Sequence, residues 1–316
     1  EWRQVMLARA AESLFWLARY MERMDNLARL IEAAQSMAGV LSETEEWRSA
    51  LAAAGVDELY DSVYDILTPD SAALFLCNSP SNPSAIISCL DHARINARAM
   101  RGALTRDMWE AVNQGWLESR QLGSEAFSPA KLPDTLDWVR TISTRFSGAY
   151  ETTMLRNENY WFVRLGTFLE RADNTARILD VKYHLLLPQE SSGVGGMLDY
   201  YQWTSVLRAV SAVRAYQWVY REEVKPWNVA ELLVLRPEMP RSLRACYDAI
   251  TECLDAIAAV HGGKRGECHR LAGAIASQLR YGRIGDIFQS GLHEHLTAQI
   301  ERTAELGDQI AAYYMR

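Results

Sequence analysis

The segment YMERMDNLARL, residues 20–30, carries the polar pattern on which the fold prediction depends. The pattern returns as FLERADNTARI, residues 168–178, with Glu-Arg-x-Asp-Asn-x-Ala-Arg in the same spacing. The apolar letters between these positions change, whereas the polar letters do not. An exposed ion pair on a helix contributes only about 0.3–0.5 kcal/mol, so many polar combinations could replace it. The repetition therefore favours a buried or ligand-facing polar network over a solvated face.

Apolar residues return every three to four positions through most of the chain, which is the period of an amphipathic α-helix. The sequence has no sustained alternation of period two bounded by turn residues, the pattern typical of a strand. The predicted fold class is therefore all-α. The predicted helices cover residues 8–39, 57–67, 83–101, 105–120, 133–155, 157–187, 198–225, 240–260, 267–281 and 291–315.

Two further pairs of segments match in the same chain order. Trp47-x-Ser49-x-Leu51 matches Trp203-x-Ser205-x-Leu207, and SPSNPSAIISCLD (79–91) matches RPEMPRSLRACYD (236–248). Because the three blocks keep their order, we interpret the chain as an internal duplication.

The predicted organisation is a single domain over residues 6–316, preceded by added or upstream residues 1–5. Its first half covers about 6–130, its second half about 150–270, and a helical C-terminal extension about 271–316. We expect a helical bundle in which the two halves pack about a pseudo-twofold axis. That packing would bring the two repeated helices together, with their polar faces lining one groove.

The repeated polar residues share one side of each helix, because successive residues are about 100° apart. Arginine presents a planar fork of donors to a carboxylate or phosphate, a carboxylate holds such a fork or an ammonium, and asparagine both donates and accepts. Glu22 and Glu170 are the candidate catalytic residues. The candidate substrate-binding residues on these helices are Arg19, Arg23, Asp25, Asn26, Arg29, Arg171, Asp173, Asn174 and Arg177.

The chain also resembles the alpha-E family, a bacterial all-helical domain named for its Glu-Arg motif. The resemblance runs from about residue 6 to the C-terminus, and the motif maps onto Glu22-Arg23 and Glu170-Arg171. It is carried by MLARAAESLFWLARYMERMDNLARLIE (6–32), TMLRNENYWFVRLGTFLERADNTARILD (153–180), VAELLVLRPEMPRSLR (229–244) and YGRIGDIFQSGLHEHL (281–296).

This resemblance implies partners and a pathway. Alpha-E proteins are typically encoded beside, or fused to, circularly permuted ATP-grasp proteins, often with transglutaminase-like proteins. ATP-grasp enzymes activate a carboxylate as an acyl-phosphate for attack by an amine, so the implied pathway forms an amide or peptide bond. ATP and Mg would be held by the partner ligase, and no cofactor is expected on this chain.

Two functional hypotheses follow. In the first, the groove binds or processes an amino-acid-like or peptide substrate, with Arg29 and Arg177 holding carboxylates and Glu22 and Glu170 holding an amine or orienting those arginines. A glutamate freed from its arginine could also act as a general base. In the second, the protein is a non-catalytic scaffold that docks the ligase. A helical bundle without any ligand would remain if the repeated face were fully exposed.

Other arginines form weaker patterns. Arg94, Arg98 and Arg101 fall on one helix face and could bind an anion or an acidic partner, although a solvated face is the simpler alternative. Arg241 and Arg244 follow Pro240 near a predicted helix N-terminus, where backbone N–H groups favour a phosphate or carboxylate. His293 and His295 are two residues apart, on different helix faces, and no structural metal is predicted.

Composition narrows the range of functions. The formal charge of −7 argues against general nucleic-acid binding, which needs an excess of basic residues on one face. The longest apolar runs are far shorter than the roughly 18 residues that a membrane span needs. Five scattered cysteines lack a Cys-x-x-Cys pair and are predicted to be reduced, buried thiols. We therefore expect a cytoplasmic protein that binds neither nucleic acid nor membrane.

Overall fold

The structure is a computed structural model that describes residues 2–37, 43–186 and 197–316. These segments are helical and contain no strand, so the predicted all-α class is confirmed for the described chain. A 3-10 helix covers Ser124–Phe127. The α-helices are α1 (Trp2–Met37), α2 (Glu43–Ala53), α3 (Asp57–Asp61), α4 (Pro69–Asn78), α5 (Ile86–Ala99), α6 (Arg106–Ser119), α7 (Leu132–Thr153), α8 (Glu158–Leu186), α9 (Met197–Ala209), α10 (Val213–Tyr220), α11 (Pro226–Val234), α12 (Leu243–Val260), α13 (Glu267–Tyr281), α14 (Ile284–Ser290) and α15 (Leu292–Tyr314).

Two long helices, α1 and α8, pack against each other at the centre of the protein. Helix α1 also packs against α5, α7 and α9, while α8 packs against α12 and α15. The apolar face of α1 is buried as predicted, with Leu17, Met24 and Ala28 fully enclosed. Its polar face is buried as well, since Glu22 and Asn26 are only 4% and 3% exposed. Neighbouring helices therefore cover α1 on both faces.

The central helices are in close contact at Gly166. A methyl group added to Gly166 would lie 2.3 Å from the backbone oxygen of Phe15, which is too close for any side chain. Only glycine therefore permits this approach of α8 to the backbone of α1. The repeated Glu-Arg residues of α8 begin one turn further along, at Glu170, and so face α1 at short range.

The prediction of one helix over 57–67 was wrong. Helix α3 already ends at Asp61, and α4 begins at Pro69. Thr68 is the N-cap of α4, because its Oγ1 accepts a hydrogen bond from the backbone N–H of Ser71 at 3.2 Å. Proline at the first helical position completes this start signal.

The predicted helix over 198–225 was also wrong, because it is two helices. Ser211 has a positive φ of 54° and separates α9 from α10, and Arg221, with φ of 52°, ends α10. The predicted helix ended at residue 225, and Pro226 opens the separate helix α11. A positive φ on residues other than glycine is uncommon and has no clear sequence signature.

The remaining helix predictions differ mainly at their ends. The prediction of 267–281 is confirmed by α13, whereas α12 begins at Leu243 rather than at 240, because the Oγ of Ser242 caps it. Helices α2, α4, α11 and α14 were not predicted as separate elements. The predicted helix ends at residues 39 and 187 lie outside the described residues.

Candidate functional site

The repeated Glu-Arg residues meet at the contact between α1 and α8. Glu22 and Glu170 are 4% and 2% exposed, and each forms ion pairs with arginines of the other helix. The predicted polar network is therefore buried, and the alternative of a fully exposed repeated face is wrong.

Glu170 of α8 is held by two arginines of α1. Arg23 binds both of its oxygens, with Nε donating to Oε1 at 2.6 Å and Nη2 to Oε2 at 3.2 Å. Arg19 donates from Nε to Oε2 at 2.7 Å, and its guanidinium carbon lies 4.5 Å from the ring centre of Trp16. The carboxylate thus accepts three charge-assisted hydrogen bonds, the strong class of protein hydrogen bond.

Glu22 of α1 is held in the reciprocal manner. Arg171 of α8 donates from Nε and Nη2 to its two oxygens, each at 2.9 Å. The third donor is Arg241, which lies in the loop before α12 and donates from Nη1 to Oε1 at 2.9 Å. The Oγ1 of Thr175 donates to the backbone oxygen of Arg241 at 2.8 Å, so α8 fixes the loop that delivers this side chain to α1.

Each helix also carries an Asp-Arg pair one turn beyond its glutamate. Arg29 donates from Nε to Asp25 Oδ2 at 2.8 Å, and Arg177 donates from Nε to Asp173 Oδ2 at 2.7 Å. Asp25 additionally accepts from Nη2 of Arg241 at 2.8 Å. The predicted polar residues of α1 and α8 are therefore brought together, and their arginines bind carboxylates of the same chain.

The ion pairs fix the charge state of both glutamates. Burial alone would raise the pKa of Glu170, but Arg23 and Arg19 outweigh it and lower the pKa to about 2. Burial opposes ionisation of Glu22 in the same way, and Arg171 and Arg241 lower its pKa to about 2. Both side chains are therefore carboxylates at neutral pH, and their oxygens are already engaged by arginine N–H groups. The glutamates were predicted to orient Arg29 and Arg177, but those arginines bind Asp25 and Asp173. Carboxylates that are occupied by other arginines suit an orienting role better than proton transfer.

Asp173 behaves differently from the glutamates. Its burial raises the pKa, and the neighbouring Arg177 only partly offsets this effect. Among the described residues, Asp173 is hydrogen-bonded by Arg177 alone, whereas Asp25 is bonded by both Arg29 and Arg241. The carboxylate on α8 is thus held by one arginine fewer than its counterpart on α1.

A cavity of about 180 Å³ lies beside Asp173, between α1, α8 and the ends of α2 and α5. Gly55, which has a φ of +68°, is exposed and lines this cavity, so the cavity reaches the surface there. Its polar lining residues are Arg23, Asn26, Ser84, Glu170, Asp173, Asn174 and Arg177. Six of these seven residues belong to the repeated pattern, which makes the cavity the candidate binding site.

Ser84 is a lining residue that the sequence prediction missed. Its Oγ accepts a hydrogen bond from Nη1 of Arg23 at 3.3 Å, and its backbone N–H donates to Asn82 Oδ1 at 2.9 Å. The matching blocks contain a signal for this position, because Ser84 follows Pro83 just as Arg241 follows Pro240.

Four of the predicted arginines belong neither to the cavity nor to the ion pairs between α1 and α8. Arg94 is bonded to Asn113 at 3.1 Å and stacks on Trp116. Arg98 is exposed on α5, and Arg101 is exposed in the turn that follows this helix. Arg244 donates to the backbone oxygen of Leu235 at 3.4 Å. The predicted stripe of three arginines on one helix face therefore consists of one packed residue and two exposed ones, of which only Arg98 is on the helix.

Metal-binding and thiol chemistry have little support in the described chain. In residues 2–37, 43–186 and 197–316, no group of three or more His, Cys, Asp or Glu side chains could hold a metal ion. All five cysteines are free and buried, as predicted. Burial raises the pKa of Cys268 to about 11, which leaves it a thiol at neutral pH. Within the same segments, no helix has the length and apolar character needed to cross a membrane.

Fold and site together define an all-helical protein organised around two Glu-Arg motifs that pair across its central helices. The family model of Alpha-E, described as a predicted alpha-helical domain with a conserved ER motif, matches residues 6–315. The chain therefore belongs to the Alpha-E family, and the resemblance seen in its sequence is confirmed. Comparisons with curated proteins and with solved structures found no match.

Proposed function

We propose that this protein is a component of an ATP-grasp-dependent pathway that forms an amide or peptide bond. In this proposal it binds an amino-acid-like or peptide substrate in the cavity between α1 and α8. The observation that carries the proposal is the cavity itself, of about 180 Å³, which is lined by both copies of the repeated polar pattern. A small cavity with both hydrogen-bond donors and acceptors suits a polar ligand of low molecular weight.

The residues of the network have separate roles in this proposal. Glu22 and Glu170 orient arginines and keep α1 and α8 in register, because their oxygens are occupied by arginine donors. The residues that line the cavity, including Asn26 and Asp173, contact the substrate. The partner ligase, a circularly permuted ATP-grasp protein, supplies ATP and Mg, and a transglutaminase-like protein acts in the same pathway.

We further propose that the site arose by internal duplication, with two related halves about a pseudo-twofold axis. The exchange of ion pairs supports this, because Glu22 pairs with Arg171 while Glu170 pairs with Arg23. Reciprocal contacts of this kind are typical of a twofold interface. The packing of α1 on α5 and of α8 on α12 agrees with the matched sequence blocks.

We place the protein in the cytoplasm, where an ATP-dependent ligase finds its ATP. The five free cysteines agree with a reducing compartment.

The proposal is tested by reconstituting the reaction with a circularly permuted ATP-grasp protein, ATP, Mg²⁺ and candidate carboxylate and amine substrates. Omitting the chain is expected to lower the initial rate of product formation at least tenfold, and heat-denatured chain should not restore it. An unchanged rate without the chain would exclude it from this reaction.

A second candidate function, a non-catalytic scaffold for the ligase, is favoured by one observation. At the end of α5, Arg98 and the following Arg101 are exposed, and so is Ile95, at 64%. A basic and apolar surface of this kind suits an acidic partner. Size-exclusion chromatography of the two proteins together distinguishes the candidates. A scaffold co-elutes with the ligase and loses this complex when Arg98 and Arg101 are replaced by glutamate, whereas a substrate-binding protein keeps its activity in that variant.

A further inference from the structure

The side-chain amide of Asn26 has a fixed orientation. Its Oδ1 accepts a hydrogen bond from Nη1 of Arg241 at 3.0 Å. A guanidinium can only donate, so the atom facing Arg241 must be the oxygen, and Nδ2 must point away from it. Asn26 is 3% exposed and lines the cavity, and its Nδ2 has no hydrogen-bond partner in the described chain.

A second unpaired donor belongs to a cavity-lining residue of α8. Asn174 also lines the cavity, and its Nδ2 is buried without a partner among residues 2–37, 43–186 and 197–316. Buried N–H groups without acceptors are unfavourable, and native structures normally satisfy them. Two such donors on facing helices, with Arg23 and Arg177 beside them, suit a ligand carboxylate with its two oxygens.

Asp173 calls for a positively charged group of the ligand rather than a carboxylate. On α1, the corresponding Asp25 is bonded by Nη2 of Arg241 at 2.8 Å. The position that matches Arg241 is Ser84, which precedes α5 and whose short side chain leaves the space beside Asp173 open. Burial raises the pKa of Asp173, and the neighbouring arginines only partly offset this effect. A ligand ammonium in this space would supply the charge that Arg241 supplies to Asp25.

The size of the cavity limits the ligand. A volume of 180 Å³ equals that of about six water molecules. This is enough for a free amino acid, but not for a long peptide held entirely within the cavity.

We propose that the cavity beside Ser84 binds a free α-amino acid, with its carboxylate on Asn26 and Asn174 and its ammonium on Asp173 and Ser84. This assignment rests on the proposed function and names the ligand of the same site. It also makes the two halves unequal. In one half the guanidinium of Arg241 binds Asp25, whereas in the other half Ser84 leaves the matching space beside Asp173 open to a ligand.

The first test is isothermal titration of the full chain with proteinogenic amino acids, and with propionate and ethylamine as probes of each charged end alone. At least one amino acid is expected to bind at millimolar concentration or below, and both probes at least tenfold more weakly. Absence of binding by every amino acid at 10 mM would overturn the proposal. Equal binding of either probe would overturn it as well.

The second test fills the cavity. Ser84→Arg is expected to place a guanidinium beside Asp173 and to weaken amino-acid binding at least tenfold, without lowering the melting temperature. Ala99→Arg makes the same charge change at an exposed position of α5 and should bind as the wild type does. If Ser84→Arg fails to fold, Asn174→Ala serves instead, because it removes one carboxylate donor and should also weaken binding at least tenfold. Wild-type affinity in the folded variants would contradict the assignment.

These results separate this assignment from the proposed function. If an amino acid binds but product forms without the chain, the proposed pathway is rejected and the binding site is retained. If product formation needs the chain but no amino acid binds, the proposed ligand is rejected and the pathway is retained.

Discussion

Glu170→Ala is expected to lower the free energy of unfolding by about 3–5 kcal/mol, because it leaves two arginines without their buried partner. Arg19 and Arg23 have 18% and 24% of their side chains exposed, while Glu170 has 2%, so solvent only partly replaces the lost carboxylate. The measurement is urea unfolding of the variant and the wild type, followed by circular dichroism.

The matched control is Asp61→Ala. Asp61 pairs with Arg48 at 2.7 Å, but their side chains are 54% and 43% exposed. Exposed pairs contribute about 0–1 kcal/mol, so this variant should unfold close to the wild type. Similar losses from Glu170→Ala and Asp61→Ala would show that the central pair contributes no more than a surface pair.

Acid is expected to destabilise the protein through both glutamates. Their pKa values are about 2 in the folded chain against an ordinary value of 4.5, so the unfolded chain takes up protons first as the pH falls. The stability that they contribute is complete above pH 4.5 and is lost as the pH falls toward 2. A difference of this size corresponds to about 3 kcal/mol for each glutamate. Asp173, whose pKa is raised by burial, acts in the opposite direction and cannot cause this loss.

This acid effect is measured by urea unfolding between pH 2 and 7. The double variant Glu22→Gln/Glu170→Gln should be less stable at pH 7 and lose less stability below pH 4.5 than the wild type. Asp61→Asn serves as the surface control and should follow the wild-type curve. A double variant that loses as much stability in acid as the wild type would exclude the two glutamates as the cause.

The central helices could be predicted from the sequence, and so could their polar residues. Periodicity placed Leu17 and Met24 in the core, and the repetition of Glu22 and Glu170 indicated a buried network. Periodicity could not reveal that the polar face of α1 is buried too, because it reports the direction of a face and not what covers it. The breaks at Ser211 and Arg221 also escaped prediction, since their backbone conformation depends on tertiary packing.

The partners of the site residues were harder to predict. The sequence predicted that Arg241, near a helix N-terminus, binds a phosphate or carboxylate ligand. In the structure its guanidinium binds Glu22 and Asp25, on a helix more than 200 residues earlier in the chain. It assigned Arg177 to a ligand carboxylate, whereas this arginine binds Asp173 of its own helix. Contacts across the fold depend on how the helices pack, and a single sequence does not contain that information directly.

A double-mutant cycle between Glu22 and Arg171 tests most directly whether the two motifs pair across α1 and α8. Glu22→Gln, Arg171→Gln and the double variant should give a coupling of about 2 kcal/mol, the range of a buried charge-assisted hydrogen bond. The comparison cycle pairs Glu22→Gln with Arg23→Gln, whose side chains are neighbours in sequence but bind different partners. The predicted result is a clearly larger coupling for Glu22 with Arg171 than for Glu22 with Arg23. Coupling within about 0.5 kcal/mol of zero for the first pair, or the reverse order, would contradict the pairing of the two motifs.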